Sequence, residues 1–141
     1  MKVIFNCAYF AFHKDFCINI KNELEKRGHI AIITESRDTC HMNAKTIENY
    51  YIKNHSDADF TILPDEACRI IGGKGIFIFH ALVPVTPQKA FYTSKDFRDK
   101  VNAKSDFLFL SSDQVAKIYT NKLKIYKPII TGINQSDPFH T

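Results

Sequence analysis

Apolar residues along this chain fall into short unbroken runs rather than alternating ones. KVIFN at residues 2–6, HIAIIT at 29–34, DFTILP at 59–64, GIFIF at 75–79, DFLFL at 106–110 and KPIIT at 127–131 are the clearest. Strands covered on both faces have this character, so the runs predict a parallel sheet between helix layers. Between them the apolar spacing changes to the helical one. Phe16, Cys17, Ile20 and Leu24 share a face, with Gly28 placed as a C-terminal cap. Asn43 is placed to cap a helix carrying Ala44, Ile47, Tyr50 and Tyr51. Short helices are expected near residues 65–71 and over 94–103, and a further one carries Val115, Ile118 and Tyr119. Strand thus alternates with helix throughout. The expectation is one α/β domain over residues 1–141, Rossmann-like and three-layered, with a mostly parallel sheet of about six strands. The commonest order for six such strands is 3-2-1-4-5-6.

Composition narrows the function classes. A hydrophobic content of 45% in 141 residues is ample for one packed core and excludes a disordered chain. The net charge of +4, from 19 basic and 15 acidic residues, suits an anionic ligand or an anionic membrane surface. It does not argue for nucleic acid, because the lysines form no basic run and are not interleaved with aromatics. Cys7, Cys17, Cys40 and Cys68 make no Cys-x-x-Cys pair, so neither a zinc ribbon nor a redox dithiol is expected, and no metal or cofactor is assigned. Cys40-His41 lacks further ligands at recognisable spacing. The N-terminus does not read as a signal peptide and no apolar stretch reaches membrane-spanning length. A cytoplasmic protein with reduced thiols is expected, with peripheral contact at the inner membrane face left open.

In an open α/β sheet, ligands bind beyond the carboxyl ends of the strands. Tyr9, His13 and Lys14 follow the first strand there. Glu35, Arg37 and His41 follow the second, His80 and Lys89 the fourth, and Ser111, Ser112 and Asp113 the fifth. His80 ends a buried strand before the longest expected loop, residues 81–93. An imidazole there is either a general base or a histidine packed at a strand end. His13 and Lys14, at the start of the first helix, either face an anion with the help of the helix dipole or are solvated loop side chains. Ser111 and Ser112 cap a helix or contact a ligand. Gly72-Gly73-Lys74-Gly75 precedes a strand instead of opening a helix, so it reads as a turn and not a phosphate loop.

Three segments in order, HALVPVTPQK, DFLFLSSDQVAKIY and ITGINQSD, resemble the CDP-glycerol glycerophosphotransferase family of teichoic-acid-polymerase-like enzymes. The likeness spans roughly residues 70–137. His80 matches the family's histidine after a buried strand. Pro87-Gln88-Lys89 is similar to its Pro-x-Lys, Ser111-Ser112 to its serines, and Gly132 and Asp137 to the ends of its Gly-x-Pro-Arg-x-Asp turn. Ala81 replaces a glycine, the spacing to Pro87 is longer, and Asn134 and Gln135 stand where proline and arginine are expected.

The resemblance implies one half of a GT-B fold: an acceptor-side domain, with the donor-binding half on a separate domain or subunit and no useful activity alone. It implies a transferase of cell-surface polymer synthesis acting on a phosphorylated polyol or glycan acceptor. His80 is then the general base, and Lys89, Ser111 and Ser112 help to hold the acceptor; His13, Lys14 and Arg37, outside the likeness but placed at the same strand ends, join them as expected acceptor-binding residues. The alternative is a non-enzymatic Rossmann- or flavodoxin-like module that binds a small anion or a protein partner. A third is an interaction protein that uses an apolar face for dimerisation.

Overall fold

A computed structural model describes residues 1–37, 41–64, 67–78, 107–110 and 128–130, the last two runs and Phe16 by backbone alone. Four parallel strands form the sheet: β1 (Lys2–Phe5), β2 (Ile30–Ile33), β3 (Phe60–Leu63) and β4 (Lys74–Ile78), in the order β2-β1-β3-β4. Val3 lies opposite Ala31 on one side and Phe60 on the other, and Ile62 lies opposite Ile76. Parallel neighbours need a crossover, and helices supply the first two. α1 (His13–Lys26) joins β1 to β2, and α2 (Ala44–His55) joins β2 to β3.

The apolar runs explain the layering. Val3, Phe5 and Cys7 point to one side, where Cys17, Ile20 and Leu24 of α1 cover them. Ile4 points to the other, against Tyr51 and Ile52 of α2. The two helices therefore cover opposite faces of β1. β2 is an edge strand among the described residues, which leaves Ile30 59% exposed.

The helix ends are built by the residues expected there. Asn43 Oδ1 accepts from the Thr46 amide at 2.8 Å and from Thr46 Oγ1 at 2.9 Å. At the end of α1, Gly28 has φ +82°, its amide donates to the Glu25 carbonyl, and the His29 amide donates to the Leu24 carbonyl. That pair of bonds is a Schellman cap.

Two expectations are corrected. The anticipated order placed the third strand beyond β2, whereas β3 lies on the other side of β1. α2 packs over Ile4 of β1, so it carries the chain past β1 before β3 begins. The start of β3 is then fastened to β1: the Asp59 amide donates to the Lys2 carbonyl at 2.8 Å, and the Lys2 amide donates to Asp59 Oδ2 at 2.7 Å. The short helix expected near 65–71 is absent from described residues 67–71. Amides that a helix would use are donated to side chains instead. Arg69 N–H goes to Glu48 Oε2, and Ile71 N–H goes to Thr61 Oγ1.

Gly72 and Gly73 are where the chain turns into β4. Gly73 has φ +66°, and a Cβ there would clash with the Asp59 carbonyl. The glycine cluster is a close-packed turn against the α2–β3 connection, as its place before a strand suggests. Among the described residues no helix is long and apolar enough to cross a membrane.

Candidate functional site at the carboxyl edge of the sheet

All four strands end on one edge. In the order β2-β1-β3-β4 the winding reverses between β1 and β3, and the crevice of a doubly wound sheet opens at such a reversal. The first residue past β1 is Asn6, fully buried. Its Nδ2 donates to Glu48 Oε2 at 2.7 Å and to the Arg69 carbonyl at 2.8 Å. Glu48, also fully buried, comes from α2. Its Oε2 also accepts from the Arg69 amide at 2.7 Å, and its Oε1 accepts from Arg69 Nε at 3.1 Å and Tyr9 OH at 3.4 Å.

Four donors from three residues, in the segments that follow β1 and β3, thus meet one carboxylate at the reversal point. Both oxygens are saturated, so Glu48 acts as a clamp that holds the β1 and β3 exits together. Arg69 extends the clamp by donating from Nη2 to Asn49 Oδ1 at 2.7 Å and to the Lys45 carbonyl at 3.2 Å. Cys68 Sγ donates to the Asn6 carbonyl at 3.4 Å. Burial and the neighbouring Glu48 carboxylate push the Tyr9 phenol above its usual range.

The β1 and β2 exits are joined by a second set of contacts. Cys7 N–H donates to Thr34 Oγ1 at 2.9 Å, and Arg37 N–H donates to the Ala8 carbonyl at 3.0 Å. The Arg37 guanidinium lies over the Phe10 ring, 4.9 Å from its centroid. His13 meets the same ring edge-on at 5.4 Å and the Phe12 ring at 4.5 Å.

Two of the residues expected to bind ligand, His13 and Arg37, are therefore brought together around Phe10, and Lys14 follows His13 on α1. Arg37 is exposed, Lys14 is half-buried and His13 is fully buried. A ligand would reach the His13 ring only if the aromatic cluster opened. His80, Lys89, Ser111 and Ser112 lie outside the described residues. Among the described residues no group of three His, Cys, Asp or Glu side chains is placed to hold a metal ion.

Asn6, Glu48 and Arg69 were not singled out by sequence patterning, although one signal was present. Glu48 falls four residues after Ala44, on the stripe that Ala44, Ile47 and Tyr51 mark as the packed face. An acid on such a stripe needs buried donors.

Beneath the edge, Cys7, Cys17 and Cys68 are buried thiols. A hydrogen bond with the Cys17 thiol and burial push the Cys7 thiol well above its usual 9.0, while Lys14 pulls weakly the other way. A folded pKa raised above the unfolded one gives stability that is complete below the unfolded value and is lost as pH rises beyond it. Under reducing conditions the protein should therefore hold its stability up to about pH 9 and then lose it progressively as pH rises, with Tyr9 adding to the loss above about pH 10. Urea midpoints between pH 8 and 10.5 check this, and Cys7→Ala should make the first part of the decline shallower.

The chain matches no protein-family model, and no curated protein is significantly similar to it.

Proposed function

We propose that this chain binds a phosphorylated polyol or glycan acceptor at the carboxyl edge of its sheet. In this reading it is the acceptor-side domain of a CDP-glycerol glycerophosphotransferase-like transferase of cell-surface polymer synthesis, working at the inner face of the membrane. The observation that carries the reading is the place of β4. It is parallel to β3, ends on the edge where the reversal point opens, and is followed in sequence, two residues on, by His80.

The reading extends the sheet to a six-stranded, three-layer Rossmann-like domain through β5 (Phe107–Leu110) and β6 (Pro128–Ile130). Backbone register supports the extension: Ile76 pairs with Phe107 and Leu108 with Pro128, both in parallel. Ser111 and Ser112 follow β5 directly in sequence. The resemblance of residues 70–137 to the glycerophosphotransferases supplies the chemistry.

The acceptor hydroxyl oxygen attacks the phosphorus that carries the glycerol. The bond from that phosphorus to the bridging oxygen breaks and CMP leaves, while His80 takes the hydroxyl proton. Lys14, Arg37 and Lys89 offset the charge of the phosphate-bearing acceptor. The donor nucleotide is held by a separate domain or subunit. His80→Ala should reduce glycerophosphate transfer by about 10²–10⁴-fold without unfolding the protein. The assay uses the full-length protein, or this chain with its donor-binding subunit supplied. Unchanged transfer would remove His80 from the mechanism.

A second reading is favoured by the saturated state of Glu48. A reversal point whose buried carboxylate is fully committed to holding strands suits a module that binds a small anion without chemistry. It expects saturable anion binding and no transfer with any donor-binding partner.

A further inference from the structure

A cavity of about 230 Å³ lies beside the β2 exit, lined by Glu35, Met42, Ile47, Tyr50 and Tyr51. Its floor is Ile47, 2% exposed, and its rim includes Tyr50 at 57% and Met42 at 39%. The two tyrosine rings meet edge to face, with centroids 5.2 Å apart and planes at 83°. Tyr51 is held in place twice. His55 stacks on it at 5.5 Å and 25°, and its hydroxyl oxygen accepts from the Glu35 amide at 3.3 Å. The Glu35 side chain is exposed at the mouth.

We propose that this cavity binds a small alkylated ammonium group, such as the head of a choline ester or a methylated amine. The tyrosine pair lines the cavity with aromatic surface against which a cation can lie, and a thioether and an aliphatic floor suit its methyl groups. A carboxylate at the mouth supplies the complementary charge. A phosphate or carboxylate ligand would meet Glu35 and no cation among these five residues. An uncharged apolar ligand would gain nothing from Glu35. The site is separate from the Glu48 clamp and does not rest on the transferase reading.

The test is an NMR titration of the protein with choline chloride, with sodium chloride as the ionic control and 3,3-dimethyl-1-butanol as the neutral isostere. Choline should give saturable shifts at the amides of Glu35, Met42, Tyr50 and Tyr51 with a Kd in the millimolar range, and the neutral alcohol should bind about tenfold more weakly. Glu35→Gln and Tyr50→Leu, both at exposed positions, should each weaken choline binding several-fold while leaving the fold intact by circular dichroism. Equal binding of choline and the neutral alcohol would overturn the proposal in favour of a merely apolar cavity. Absence of saturable shifts at these residues would overturn it outright. Failure of acceptor binding at the β1–β3 exits would leave this result unaffected.

Discussion

Gly73→Ala is expected to be the most damaging single substitution among the described residues. The new methyl group would clash with both atoms of the Asp59 carbonyl and lie 2.6 Å from the Ala58 carbonyl oxygen. Neither carbonyl can yield cheaply. Asp59 pairs with Lys2 through its amide and carboxylate, and its carbonyl accepts from the Lys74 amide at 3.1 Å. The left-handed backbone at φ +66° alone costs a non-glycine residue about 1–2 kcal/mol. Displacing the β3 entry raises the total to about 4 kcal/mol or more, a fall of roughly 15 °C in Tm for a domain of this size. Gly28→Ala separates the two contributions. Gly28 has φ +82° but nothing within 4 Å of the added Cβ, so it should cost only about 1 kcal/mol. Thermal unfolding of both variants checks the contrast. Similar losses would mean that the close approach to Asp59 is not what requires a glycine.

Glu48→Ala should come next, at about 3 kcal/mol. Most of that comes from two N–H groups that lose their buried acceptor, one of the pair on Asn6 Nδ2 (the other still donates to the Arg69 carbonyl) and the Arg69 amide. The ion pair with Arg69 adds less, because the arginine side chain is 38% exposed and water screens it. Glu48→Gln retains one acceptor oxygen but turns an N–H₂ toward two donors, so it should cost less than alanine and more than a surface change. Urea unfolding gives the order. Wild-type stability in both variants would show that the β1 and β3 exits are held by packing alone.

The contrast between the two sites shows what could be read from sequence. β1 to β4 were legible because each is a continuous apolar run bounded by polar or turn residues, and Asn43 and Gly28 mark helix ends through their own local bonding. Strand order was not legible. It depends on which face α2 crosses, and that follows from contacts of Ile4 with residues 47 and 48 positions away, Tyr51 and Ile52. The Glu48 clamp joins positions 42 and 21 residues apart, beyond any local pattern. Residues 67–71 misled for a related reason. Their composition permits a helix, but Thr61 and Glu48 offer their amides buried acceptors that a helix would forgo. His13 was legible as the first residue of a helix, whereas its burial against Phe10 and Phe12 depends on how the chain folds back after β1.

The most direct test of the acceptor reading is an amide-resolved NMR titration of the protein with glycerol 3-phosphate and, separately, with CDP-glycerol. The account predicts saturable shifts for glycerol 3-phosphate centred on Tyr9, Arg37 and Arg69, with weak or no binding of the nucleotide donor. Shifts confined to the opposite edge, around Met1, Gly28 and Asp57, or no saturation up to about 10 mM ligand, would contradict it.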